Sequence, residues 1–179
     1  MGGDDAPHIV VAGANIARRR HPDVRFVLFG DEKDLAARVA RQRGLNEFVE
    51  IRHAPEGVAP DAKPSQVVRS GQETSMWRAI EAVKSGDADG VVSAGNTGAL
   101  LAMAMLVLKR LAGIDRPAIT SFFPTQRGET VMLDLGANIR CDERNLVEFS
   151  IMGEVFARTV LGIENPTIGL LNVGEEETK

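Results

Sequence analysis

The sequence predicts an α/β fold in which a mainly parallel sheet is covered by helices. Three observations lead there. Short apolar runs alternate with amphipathic stretches along the chain. Several of those runs are apolar throughout, as strands buried on both faces are. Four of the five amphipathic stretches stop at glycines, where a left-handed residue closes a helix without a Cβ clash. With 179 residues, 44% hydrophobic and 26% charged, the chain can build one sizeable core or a tight pair of subdomains.

The elements follow in order. Strands are expected at 24–30, 48–53, 90–93, 118–123, 130–134 and 167–173. Helices are expected at 6–20, 33–43, 75–85, 97–112 and 143–161, with stops at Gly44, Gly86, Gly113 and Gly162. Asp31 and Asp142 stand where a carboxylate accepts the free amides of a first helical turn. The apolar run 99–108 is ten residues long and ends at Lys109 and Arg110. A spanning helix needs about 20 residues, so this run is expected to be a buried core helix. Residues 54–64 carry Pro55, Pro60 and Pro64 and read as a loop over one edge of the sheet, near a site. No internal repeat and no forced domain boundary is seen.

Composition narrows the function. The net charge is -4, which disfavours generic binding to nucleic acid. The single cysteine, Cys141, forms no internal disulfide and demands no oxidising compartment. Met1 is followed by Gly2-Gly3-Asp4-Asp5 with neither a basic start nor an apolar run, so a cytoplasmic protein is expected. Both ends are abrupt, and the sequence reads as a piece of a longer protein.

Four glycine-bearing turns lie at expected strand ends or helix starts. They are Met1-Gly2-Gly3-Asp4, Ser93-Ala94-Gly95-Asn96-Thr97-Gly98, Asp134-Leu135-Gly136-Ala137-Asn138 and Asn172-Val173-Gly174. In a parallel sheet, ligands collect beyond the carboxyl ends of the strands, where such turns converge. The loop 93–98 opens the expected helix 97–112. Glycine admits a ligand close to the backbone, and the unpaired amides of a helix start favour an anion such as phosphate.

Other chemistries lack their signatures. Neither a P-loop nor a dinucleotide-binding glycine fingerprint is present, and no G-x-S-x-G elbow offers a serine nucleophile. His8, His21 and His53 are dispersed, so no metal is expected. Cys141 is a conceivable nucleophile, but Asp142 and Glu143 are expected to raise its pKa and weaken the thiolate. The run Glu175-Glu176-Glu177 reads as a solvated loop and Trp77 as core.

Taken together, the turns resemble the bacterial phosphate acyltransferases. The residues that carry the resemblance are Met1-Gly2-Gly3-Asp4 with Ala6-Pro7, Ser75-Met76, Val92 to Ala99, and Gly113-Ile114-Asp115-Arg116-Pro117-Ala118. Pro124-Thr125, Asp134 to Asn138, Cys141 and Gly169 to Glu176 continue it along nearly the whole chain.

That resemblance implies a three-layer α/β/α fold similar to isopropylmalate dehydrogenase and phosphotransacetylase. Residues 1–179 would be the N-terminal part of a single such domain, incomplete at both ends and about half the family's length. A strand ending in Asp-Ala would precede Met1. A further glycine- and asparagine-containing loop, and an apolar helical tip for peripheral membrane contact, would follow Lys179. The implied reaction makes acyl phosphate from acyl-acyl carrier protein and inorganic phosphate for phospholipid synthesis, in a homodimer, without cofactor. Gly2, Gly3, Asp4, Ser93, Gly95, Asn96, Thr97, Gly98 and Arg69 would bind phosphate or substrate, and Lys179 and Asn138 would be catalytic. The family is basic just before Ser75, whereas Glu73 stands there here, which leaves open which cation holds phosphate. Arg18, Arg19 and Arg20 form the densest basic cluster, read as a solvated helix end. Two alternatives remain: a phosphotransacetylase-like enzyme using coenzyme A, and a non-catalytic fragment that binds phosphate or a partner.

Overall fold

The computed structural model describes residue 3 and residues 5–126, 128–136, 138 and 140–171. The chain divides into two compact units, Met1–Lys109 and Arg110–Lys179.

In the first unit, α1 (His8–Arg20) leads to β1 (Phe26–Gly30), α2 (Glu32–Ala40) and β2 (Val49–His53). β1 and β2 pair in parallel, from Phe26 opposite Val49 to Gly30 opposite His53. Asp31 caps α2 as its position predicts, accepting the Asp34 amide at 2.8 Å. Val11 and Ala14 of α1 meet Leu28, Leu35, Val39 and Leu45 in one buried cluster. Leu35 and Val39, four residues apart, are the buried face of α2.

The remainder of this unit is helical. α3 (Pro64–Ser70) follows the proline-rich stretch, and α4 (Ser75–Ser85) covers the residues expected of it. α5 (Thr97–Val107) is shorter than expected, because Leu108 caps it and Lys109 turns to a φ of 66°. Ala99, Met103 and Val107 of α5 are buried against Val58, Met76 and Ile80, and Trp77 packs on this cluster. Met105, Leu106 and Leu108 stay exposed, so the apolar run is buried on one face only.

Residues 90–93 form no strand. A cleft of about 90 Å³ is lined by Val27, Leu28 and Phe29 of β1 together with Val91 to Ala94. Among the described residues they pair with no strand, so no ladder forms there.

The second unit pairs β3 (Thr120–Thr125) with β4 (Gly128–Leu133) antiparallel, Thr120 opposite Leu133. A mainly parallel sheet is therefore not what these strands form. Only two residues separate Thr125 from Gly128, and a parallel return needs a crossover of a dozen or more. α6 (Glu143–Leu161) fills its expected span. Asp142 accepts the Asn145 amide at 2.9 Å while Asn145 Oδ1 accepts the Asp142 amide at 3.3 Å, a reciprocal cap. α6 meets β4 at Gly153, where a Cβ would lie 2.9 Å from Leu133 Cδ1, the movable end of that side chain. Residues 167–171 carry no strand, and Asn172 and Val173 lie outside the described residues.

Candidate functional site

Gly3 meets the loop 93–98 in the first unit. Gly3 has a φ of 99°, and a Cβ on it would lie 2.5 Å from the Ala94 carbonyl oxygen. Gly3 therefore lies backbone against backbone on Ala94 of the loop 93–98, and only glycine allows that approach. Gly2 and Asp4 lie outside the described residues.

Within the loop, Gly95 donates its amide to Ser93 Oγ at 3.2 Å. Asn96 is the N-cap of α5, with Oδ1 accepting the Ala99 amide at 2.9 Å. Its Nδ2 donates to the carbonyls of Pro60 at 2.8 Å and Ala62 at 3.1 Å. Asn96 thus joins the helix start to the proline-rich stretch, and its side chain is occupied in structural bonds. Thr97 and Gly98 are the first two helical residues, and their amides have no acceptor within the helix. A Cβ on Gly98 would lie 3.0 Å from Pro64 Cγ. Small residues and free amides together leave an electropositive surface open to an anion.

The proline-rich stretch is held rather than loose. Ala54 donates to the Gly30 carbonyl at 2.9 Å, and the Glu56 carbonyl accepts the Ser75 amide at 2.9 Å. Ala54 and Val58 are buried.

Arg69 is exposed near the far end of α3. Pro64 lies beside Gly98, whereas Gly71 lies beside Met103, so α3 advances along α5 in the same direction. The Arg69 backbone is therefore more than one helical turn from the start of α5. Glu73 is ion-paired with Arg78, which also donates to the His53 carbonyl at 2.8 Å.

The second unit holds the turn after β4. Asp134, with a φ of 59°, is its organiser. Its Oδ1 accepts the Asn138 amide at 3.1 Å and Asn138 Nδ2 at 2.9 Å. Asn138 Nδ2 also donates to the Pro117 carbonyl at 3.1 Å. Oδ2 of Asp134 accepts the Cys141 thiol at 3.4 Å. Burial pushes the Cys141 pKa up first, followed by the hydrogen bond to Asp134 and that residue's charge; Arg116 opposes them. The expected direction holds, but Asp134 rather than Asp142 is the main acidic cause.

Sequence inspection places Asp134 in a turn without seeing that it gathers three donors. It also misses Glu148, a buried carboxylate on α6. Glu148 accepts the Asp115 amide at 2.7 Å and Arg144 Nε at 3.0 Å, fixing the segment Asp115-Arg116-Pro117. The acidic type at a mid-helix position facing inward was the available signal, and the sequence alone does not say which way it faces.

Lys179 lies outside the described residues, as does the turn Asn172-Val173-Gly174. Among the described residues no three His, Cys, Asp or Glu side chains converge as a metal site requires. No helix among them is long and apolar enough to cross a membrane.

Fold and loop together define an α/β protein with a glycine-bearing loop at a helix start. The chain belongs to the family described as "Fatty acid synthesis protein", whose model matches residues 1–179. It is 60% identical over 179 residues to the phosphate acyltransferase of Rhodospirillum rubrum, covering all of this chain and 51% of that protein. The phosphate acyltransferase of Rhodospirillum centenum is also 60% identical over 179 residues, with 50% of its length covered. That of Paramagnetospirillum magneticum is 56% identical, with 51% covered. The chain spans about half the length of the curated relatives it matches.

Proposed function

We propose that residues 1–179 are the N-terminal part of a phosphate acyltransferase that forms acyl phosphate from acyl-acyl carrier protein and inorganic phosphate. The observation that carries this is the identity of 60%, sustained over every residue of the chain, to relatives bearing that name. The contact of Gly3 with Ala94 beside the start of α5 supports it. The whole protein is read as one three-layer α/β/α domain, cytoplasmic, homodimeric and in peripheral contact with membrane.

Phosphate is a dianion in good part at neutral pH, so its oxygen attacks a thioester carbonyl with little help from a base. The carbon–oxygen bond forms, the carbon–sulfur bond breaks, and the carrier thiolate leaves and takes up a proton. What the protein must supply is position and charge stabilisation. The amides of Thr97 and Gly98 and the Gly3 turn hold phosphate. Asn96 shapes that cradle rather than contacting the ligand, because its side chain is committed to Ala99, Pro60 and Ala62. Asn138 shapes the second turn in the same way. Lys179 supplies charge to phosphate or to the oxyanion.

The test uses the intact protein with acyl-acyl carrier protein and phosphate, trapping acyl phosphate as hydroxamate. Phosphate-dependent product is expected, and Lys179→Ala is expected to lower turnover strongly. Preference for acyl-coenzyme A would favour the phosphotransacetylase-like reading, and no product from either donor would overturn acyl transfer.

A further inference from the structure

Arginines gather at the end of the first unit remote from Gly3. α1 finishes in Arg18, Arg19 and Arg20. Arg18 reaches the turn after α2, donating Nη2 to the Arg43 carbonyl at 2.6 Å. Its guanidinium lies 5.4 Å from the centroid of the Phe48 ring, and that of Arg25 lies 4.6 Å from the same centroid. Arg41 caps α2, two residues before Arg43.

Residues 18–25 and 41–48, linked through Arg18, Arg25 and Phe48, thus bring six arginines to one end of the first unit against two carboxylates, Asp23 and Glu47. Among the described residues no carboxylate lies within 4.0 Å of any of the six. Elsewhere Arg38, Arg52, Arg78, Arg144 and Arg158 all pair with acids. Arg69, Arg110, Arg116 and Arg140 also make no such pair among the described residues, but they are scattered, whereas these six come from short segments linked through Arg18 and Phe48. A solvated helix end accounts for Arg18 to Arg20 but not for Arg25, Arg41 and Arg43, which come from other segments.

The geometry points to this face as the docking surface for a strongly acidic protein. The inference rests on the acyl transfer proposed above, and the acidic protein is then the carrier that bears the acyl group. Nucleic acid fits less well, since two guanidiniums already flank the one aromatic ring and leave no stacking platform. An anionic membrane fits less well too, because no exposed aromatic residue accompanies the charges. α1 separates this face from the Gly3 turn by about 20 Å of helix, so the acyl group must arrive on an extended arm.

The test is the variant Arg19→Glu/Arg20→Glu/Arg43→Glu in the intact protein. These three side chains make no hydrogen bond among the described residues, so an unchanged Tm is expected. Lysine at the same positions serves as the charge-preserving control. Anisotropy of labelled acyl carrier protein reads binding, and steady-state kinetics read turnover. The glutamate variant should raise the carrier Kd and KM about tenfold or more while leaving kcat unchanged, and wild-type binding should weaken with salt. The lysine control should bind as the wild type does. Carrier binding unchanged in the glutamate variant overturns this docking face, while acyl phosphate production by the wild type keeps the catalytic proposal intact. Loss of binding to phosphatidylglycerol vesicles without loss of carrier binding also overturns it, in favour of a membrane surface. Absence of acyl phosphate from the wild type overturns both.

Discussion

Asn138 donates its backbone amide and its side-chain amide to one oxygen, Oδ1 of Asp134, at 3.1 and 2.9 Å. Asp134 itself sits at a φ of 59°, a region that aspartate tolerates better than most residues. Replacing Asp134 by alanine keeps that unfavourable backbone and removes the acceptor of three donors. The expected loss is about 1–3 kcal/mol of stability. Asp134→Asn keeps a side-chain acceptor and should lose less. Urea denaturation of the three proteins checks the order, and equal midpoints would remove Asp134 as the organiser of this turn.

The Cys141 thiol, raised by burial and by Asp134, should be alkylated slowly at neutral pH. Asp134→Asn removes the charge and should move the iodoacetamide rate profile to lower pH. Because the folded-state pKa lies above the unfolded one, the thiol's contribution to stability is complete below the unfolded pKa. It is lost as pH rises through the folded pKa. A rate profile in the wild type matching that of a free thiol would refute the burial and pairing described here.

How much of this was legible follows from which interactions are local. α4 and α6 occupy their expected spans because their caps are sequence-near: Thr74 to Trp77 and Asp142 to Asn145. The parallel pairing of β1 and β2 follows from the helix between them. The hairpin of β3 and β4 was readable in principle from its short connection, but apolar runs alone suggested parallel strands. Residues 90–93 have strand-like composition but pair with no strand among the described residues, which no local pattern reveals. In the candidate site, the loop 93–98 was visible as glycine and small residues. The commitment of Asn96 to Pro60 and Ala62 was not, since it spans 36 and 34 residues.

Gly3 and Gly13 make a paired test of glycine. At Gly3 a Cβ meets the Ala94 carbonyl at 2.5 Å, whereas at Gly13, on the exposed face of α1, it meets nothing within 4 Å. Gly3→Ala should cost about 1–3 kcal/mol through its left-handed backbone and that clash, and should raise the KM for phosphate. Gly13→Ala should add about 0.5–1 kcal/mol through helix propensity and leave KM unchanged. Thermal melts and phosphate titrations decide both, and an unaffected phosphate KM in Gly3→Ala would detach that turn from the site.

Glu148 ties the Asp115 segment to α6 through the Asp115 amide, and accepts Arg144 from its own helix one turn earlier. Glu148→Ala leaves the half-buried Asp115 amide without its acceptor, while Arg144 keeps its ion pair with Asp115 at 3.3 Å, so the expected cost is about 1–3 kcal/mol and comes from the amide. Glu148→Gln retains one carbonyl oxygen for the Asp115 amide and should recover part of the loss. Chemical denaturation should order wild type above glutamine above alanine. Full stability in the alanine variant would mean that the Glu148 bonds are not needed.

Asn96 separates the structural role of the loop from its role toward an anion. Its Oδ1 caps α5 and its Nδ2 holds the carbonyls of Pro60 and Ala62. Asn96→Ala loses both, and cap removal alone costs about 0.5–2 kcal/mol. Asn96→Asp keeps the capping oxygen but surrenders the two donors, so residues 54–63 should become more susceptible to proteolysis. Its carboxylate also places a negative charge beside the amides of Thr97 and Gly98. If those amides receive phosphate, Asn96→Asp should weaken phosphate binding more than Asn96→Ala does, although alanine destabilises the helix start more. That inversion is what distinguishes an anion site from a merely well-capped helix. Isothermal titration with phosphate alongside thermal melts of both variants reads it directly, and phosphate affinity that simply tracks stability would place the anion elsewhere.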